Sequence, residues 1–260
     1  METLDFYKIY GNAPFNFLYH PFSDKKIYGN DQIDLIPNTP YYYIINSIEK
    51  GSTVLDVGCG SGYLGDYLKN KKNCDVYGLD IDEEALKKAD KRNVYSALFK
   101  INLENIENLE ISLKNFEQKF DYIILADVLE HLKNINQVIL TIWPLLKKDG
   151  SMLISIPNIN HIDIVLNLIK GNFNYSLFGI LDNTHLRFFT QKSFKEWIIS
   201  LLEENVNIEL IGKTFANEIF SLEENSRDQS TLKTLTKLYE RYDNKEDIFT
   251  VQNIFKVTKI

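Results

Sequence analysis

Val54-Leu55-Asp56-Val57-Gly58-Cys59-Gly60-Ser61-Gly62 is the stretch on which the fold turns. An apolar run of strand type leads into three alternating glycines, and a helical pattern starts just after them. Glycine suits a backbone that takes positive φ or touches a ligand, because a Cβ would clash there. Eighteen residues past Gly62 a second strand-like run, Val76-Tyr77-Gly78-Leu79, ends in Asp80. A carboxylate at the tip of a second strand can accept hydrogen bonds from both hydroxyls of a ribose. Ligands of open α/β sheets bind at the carboxyl ends of the strands, so the glycine turn and Asp80 are expected to meet in one site.

Outward from this stretch the chain alternates. Strands are predicted at Thr53–Val57, Asp75–Asp80, Val94–Ile101, Phe120–Ala126, Ser151–Ile156, Val206–Gly212 and Ile248–Thr258. Amphipathic helices are predicted at Leu64–Asn70, Glu83–Lys91, Asn136–Lys147 and Gln191–Glu204. Such alternation implies a doubly wound, Rossmann-like parallel sheet covered on both faces. The run Ile123-Ile124-Leu125 fits a strand buried on both sides. Residues 1–40, rich in Tyr, Phe, Asn and Pro, read as an N-terminal lid or extension; residues 41–260 read as one domain. Residues 157–190 are too long for an ordinary connection and read as an acceptor-side insertion.

Composition narrows the function. The net charge of −7 is opposite to what binding along phosphate backbones needs, so nucleic acid is not an expected partner. Two cysteines, Cys59 and Cys74, make neither a disulfide framework nor a zinc pattern, which fits a reducing cytoplasm. No apolar run approaches the length of a membrane span, and no signal-peptide pattern opens the chain. A homodimer stays open.

Two cofactors compete for the glycine turn. Gly60-Ser61-Gly62-Tyr63-Leu64-Gly65 satisfies the dinucleotide pattern, with Asp80 serving a nicotinamide cofactor, yet that pattern alone is weak. Asp56, inside the strand, would repel a pyrophosphate, whereas a sulfonium with an ammonium group would tolerate it. Asp56-Val57-Gly58-Cys59-Gly60-Ser61-Gly62 resembles the signature loop of class I S-adenosylmethionine-dependent methyltransferases, and Asp80 stands at their ribose position. Phe120–His131 resembles the family's fourth strand and its exit, and Leu145–Ile154 the turn into its fifth. The resemblance covers residues 40–157 in order. It implies a seven-stranded, mostly parallel sheet with an antiparallel last strand.

It also implies S-adenosyl-L-methionine as cofactor. The expected contacts are Asp56, Gly58, Gly60 and Gly62 from the loop, Asp80 and Ile81 at the ribose, Asn102 and Leu103 near the adenine, and Asp127 at the methionine end. Where the family usually has an acid after the third strand this chain has Asn102, whose amide can still pair with the adenine edge. Ser155-Ile156-Pro157-Asn158 and Gly179–Thr190 resemble a bacterial subgroup tied to sugar, lipid or glycan modification.

Methyl transfer is an in-line displacement in which the protein aligns the acceptor and, for a hydroxyl, removes its proton. A base with a pKa near neutrality points to histidine. His131 beside Glu130, and His185 in the insertion, are the candidate catalytic groups. Arg187 could hold an anionic part of the acceptor bidentately, and His161 could contact the acceptor. No metal is required by this reading. Asp127, Glu130 and His131 nevertheless share the spacing of the Glu-x-x-Glu-His ion site of ubiquinone-type O-methyltransferases. The expected reaction is O-methylation of a small polar acceptor such as a sugar, nucleotide-sugar or cell-surface glycan precursor. N-methylation, an NAD-dependent oxidoreductase and a non-catalytic binder are the alternatives.

Overall fold

The computed structural model describes residues 36–169, 171–176, 179–203, 206–215 and 247–260, together with Lys233 and Lys237. Tyr7, Tyr10, Tyr19 and Tyr28, which on sequence grounds could face the sulfonium or the acceptor, lie outside these, as does His20.

Seven strands form one sheet: β1 (Thr53–Val57), β2 (Asp75–Asp80), β3 (Tyr95–Lys100), β4 (Phe120–Ala126), β5 (Leu146–Pro157), β6 (Val206–Phe215) and β7 (Thr250–Lys259). Their order is β3-β2-β1-β4-β5-β7-β6. β1 pairs in parallel with β2 and β4, and β4 with β5. β7 runs antiparallel to both β5 and β6. The predicted doubly wound sheet with an antiparallel last strand is therefore what forms. The chain reverses strand order on either side of β1, between β2 and β4, and opens a crevice at their carboxyl ends.

Alternation along each strand sorts the core into two layers. Val54, Val76, Ile124, Leu153 and Ile254 face one side. There they meet α1 (Pro40–Ser47) through Ile44 and Ile45, and α2 (Tyr63–Lys72) through Leu64 and Leu68. Leu55, Val57, Ile123, Leu125, Met152, Ile154 and Phe255 face the other, against α4 (Ile106–Leu113), α5 (Ile135–Ile142) and α7 (Gln191–Leu202). α3 (Glu83–Asp90) flanks β2 and β3, capped by the Asp82 side chain on the Glu84 and Ala85 amides.

Three helices escaped the sequence reading, the third of them over Ile162–Ile169 in the 157–190 segment. α1 starts at Pro40 behind the Thr39 cap, where proline's missing N–H costs nothing, so a helix begins inside a segment that looked irregular. α4 follows an Asn105 cap. The helix predicted over Asn136–Lys147 is shorter. Pro144 lacks the donor needed to continue it, and a single tight turn, Trp143–Leu145, delivers the chain into β5 at Leu146.

The 157–190 segment contains α6 (Ile162–Ile169) and is fastened to the sheet. Asn158 N–H donates to Val251 O at 2.8 Å, and Ile159 N–H to Phe189 O at 3.0 Å. Behind it, fully buried Phe194 on α7 stacks on Phe255 of β7 with centroids 4.4 Å apart, and Phe189 and Trp197 complete the cluster. Phe194→Ala is expected to cost about 3–5 kcal/mol, since the surrounding rings cannot close the hole. Urea denaturation would read the loss.

Candidate functional site

The glycine turn is shaped by hydrogen bonds to the tip of β2. Gly58 and Cys59 amides donate to Leu79 O at 2.8 and 3.0 Å, which bends the chain sharply at the end of β1. Gly60 N–H then donates to Asp80 Oδ2 at 2.8 Å, and Asp82 N–H to Oδ1 at 2.8 Å. Each carboxylate oxygen keeps a lone pair, so Asp80 can still accept two ribose hydroxyls. Gly60 has φ +52° and a Cβ built on it would meet nothing within 4 Å, so the backbone lies bare beside open space. These features fit an adenosyl cofactor. Ile81 beside Asp80 is 61% exposed, an apolar surface at the same rim. Asn102 is exposed, with Oδ1 accepting from Glu104 N–H at 3.0 Å. Leu103 is buried behind it.

Asp56 does not stand at the surface of the turn. Strand alternation turns it to the α2 face, where it is buried and accepts a hydrogen bond from Tyr95 Oη at 3.1 Å. Burial, with a smaller push from Asp80, raises its pKa to about 7 against the pull of the Tyr95 hydroxyl.

Asp127 leaves β4 with φ +54°, a strained conformation for a non-glycine residue. Two residues the sequence reading missed hold it. Ser155 Oγ accepts from its N–H at 3.0 Å and donates to Oδ1 at 2.7 Å, and Gln252 Nε2 donates to the same oxygen at 2.7 Å. A serine within the buried run of β5 was the available signal for the first. Nothing local marked the second, which comes from β7.

The chain then makes a tight turn, Leu129–His131, and meets the 157–190 segment. Leu186 and Arg187 amides donate to Glu130 O at 2.6 and 3.2 Å, and the Arg187 guanidinium bonds Lys133 O. Arg187, expected to grip the acceptor, thus fastens one segment to the other while retaining further donors. The clasp sets His185 edge-on to His131 with ring centroids 4.8 Å apart.

The network assigns both tautomers. Thr184 Oγ1 donates to Asp182 at 2.6 Å and so accepts from His131 Nδ1 at 3.0 Å. His185 Nδ1 donates to Ile180 O at 2.9 Å. Nδ1 of each imidazole is thus engaged, which leaves Nε2 of each ring for another partner. His185 is buried, which together with the nearby His131 holds its pKa below the usual histidine value. Glu130 is 1% exposed, and its Oε2 has no hydrogen-bond partner among the described residues. Burial, then the charges of Asp127 and Asp182, keep its carboxyl well above the ordinary range. One ligand atom each from Glu130, His131 and His185 lie within 4.8 Å of one another. Asp127, which the spacing put in the ion set, is outside this cluster and His185 takes its place.

His161 joins none of this. It is fully buried at the start of α6, its Nδ1 accepting from Asp163 N–H at 3.3 Å, and burial pushes its pKa down to about 4. It shows no atom to an open crevice.

A glycine turn at the end of β1, an acid at the tip of β2 and the strand order above define the class I S-adenosylmethionine-dependent methyltransferases. The chain belongs to the methyltransferase-domain family whose sequence model matches residues 37–199, and the nicotinamide alternative is set aside. It is 29% identical over 159 residues to the mitochondrial ubiquinone biosynthesis O-methyltransferase of Rattus norvegicus, covering 60% of this chain and 44% of that one. It is 32% identical over 170 residues to the ribosomal protein L11 methyltransferase of Caldanaerobacter subterraneus, covering 62% and 46%. The matched region is therefore under half the length of either relative. In structure it resembles a SAM-dependent methyltransferase from Archaeoglobus fulgidus, with a TM-score of 0.60 at 19% identity over 93% of this chain and 100% of the other.

Two outcomes are expected here. Asp80→Ala should weaken binding of S-adenosylmethionine or S-adenosylhomocysteine by about 1–3 kcal/mol, as titration calorimetry would read. Because folding raises the Asp56 pKa from 3.8 to about 7, stability should be complete below pH 4 and decline as pH rises through 7. Asp56→Asn should flatten that part of a plot of denaturation midpoint against pH.

Proposed function

We propose that this domain methylates a hydroxyl of a small polar acceptor, with His185 taking its proton beside His131. The observation that carries the reading is the pair of imidazoles beyond the carboxyl end of β4, edge-on with centroids 4.8 Å apart and each with its Nδ1 already engaged. Bound S-adenosylmethionine supplies an electrophilic methyl group on sulfur. The protein supplies position and a proton acceptor. Asp80, held by the Gly60 amide, fixes the nucleoside end, while Asp127, locked by Ser155 and Gln252, fixes the methionine end. His185, kept neutral by burial and oriented by Ile180 O, is ready to accept a proton at neutral pH. His131 is held in place beside it by Thr184, which is in turn tied to Asp182.

The name of the Rattus norvegicus relative as an O-methyltransferase supports a hydroxyl acceptor. The 157–190 segment also carries Phe173 and Tyr175, exposed rings packed with Phe188, which suit an acceptor with a ring face. A sugar or nucleotide-sugar offers one, as does a phenol. Among the described residues no helix is long and apolar enough to cross a membrane.

A second reading has its own observation. Glu130, His131 and His185 could hold a divalent cation, which would satisfy the orphaned Glu130 Oε2 and polarise the acceptor oxygen. Equilibrium dialysis with Zn2+ or Mg2+ separates the two readings.

Release of S-adenosylhomocysteine with a panel of sugars, nucleotide-sugars, phenols and amines tests the proposal. His185→Ala is expected to lower turnover by about 10²–10⁴-fold while cofactor affinity holds. Turnover confined to amines would overturn the O-methylation reading in favour of N-methylation.

A further inference from the structure

We propose that Tyr95, on β3, is the positioning residue of the cofactor turn: its ring props the turn from beneath and its hydroxyl sets the Asp56 carboxylate. The inference rests on the turn being the cofactor site. Tyr95 lies in none of the motifs that mark the family resemblance. What singles it out is the space cleared around it.

Three glycines on three elements make room for one ring. A Cβ on Gly65 of α2 would come within 2.3 Å of Tyr95, one on Gly78 of β2 within 2.8 Å, and one on Gly62 of the turn within 2.9 Å. Gly65 completes the pattern that resembled a dinucleotide fingerprint, so its presence has a reason independent of any pyrophosphate. Gly78 lies directly across from Asp56 in the β1–β2 register. The missing side chain there lets the ring pass over β2 from β3 and reach Asp56 on β1. At its far end the hydroxyl is 3.1 Å from Asp56 Oδ2.

The pair is buried, and this gives the contact its effect. An acid without a partner in that position would stay protonated, and the Tyr95 hydrogen bond is the main influence favouring the carboxylate. The ionisable groups facing Asp56 are Tyr95 from β3, Asp80 from β2 and Cys59 from the turn, with Asp80 opposing its charge. Asp56 sits two residues before Gly58, so both its orientation and its charge act on the surface that receives the positive end of the cofactor.

The test is the affinity for S-adenosylhomocysteine and S-adenosylmethionine across pH, by calorimetry, in wild type, Tyr95→Phe, Asp56→Asn and the double variant. Tyr95→Phe keeps the ring and so the prop, and removes only the hydroxyl. It should weaken cofactor binding about tenfold at neutral pH. The loss of affinity on acidification should begin at higher pH than in wild type, because the hydroxyl no longer holds the acid down. In the Asp56→Asn background the same change should have little further effect. KM for an acceptor at saturating cofactor should not move. A folded Tyr95→Phe with wild-type affinity and pH profile overturns the proposal while leaving the cofactor site in place. Additive losses in the double variant overturn the coupling to Asp56. A wild-type protein that binds neither compound overturns the cofactor site and the proposal with it.

Discussion

The tips of β1 and β2 are held together by backbone amides, and the rest of the site depends on that tie. Three consecutive residues, Gly58, Cys59 and Gly60, direct their N–H groups at Leu79 O and the Asp80 carboxylate. These amides would otherwise be orphaned at the end of a buried strand, where an unmade hydrogen bond costs about 1–3 kcal/mol. The acid proposed to grip the ribose is thereby also the group that sets the turn. Neither can move without the other, which makes the rim of the crevice a single rigid piece.

A second constraint acts from the other side of the sheet. The Tyr95 ring fits between α2 and β2 because Gly65 and Gly78 carry no side chains. Burying Asp56 in this layer sets the cost of desolvating an acid against the Tyr95 hydrogen bond that partly offsets it. Two hydrophobic layers would hold the sheet without any of these residues. Their presence in the α2 layer is a departure from pure packing, and it occurs directly under the turn.

The sequence revealed the sheet well because its signals are local. Continuous apolar strands, periodic helices and the spacing from Gly62 to Asp80 each lie within a short window, and all seven strands formed close to where they were expected. Helix ends were misplaced where the signal was a single residue: Pro144 cut a helix short, and Pro40 started one. The turn after β1 and the acid at the tip of β2 were legible for the same reason. The meeting of His131 with His185 was not. His185 meets His131 across more than fifty residues of chain, through a clasp of main-chain amides on Glu130 O that no side-chain pattern encodes. Gln252 reaches Asp127 from the final strand, and Arg187 commits two donors to carbonyls. A basic side chain read alone suggests a ligand, and only the fold shows what it holds.

The clasp on Glu130 O separates the molecule into a half that is fixed and a half that is adjustable. The residues proposed to meet the nucleoside come from strand ends within residues 56–103, whereas one of the two imidazoles arrives on a strip fastened by two amides. Length or composition could vary between Gly171 and Tyr175 without disturbing that fastening. A chain rewritten in that one loop would keep, unchanged, the strand ends proposed to meet the nucleoside.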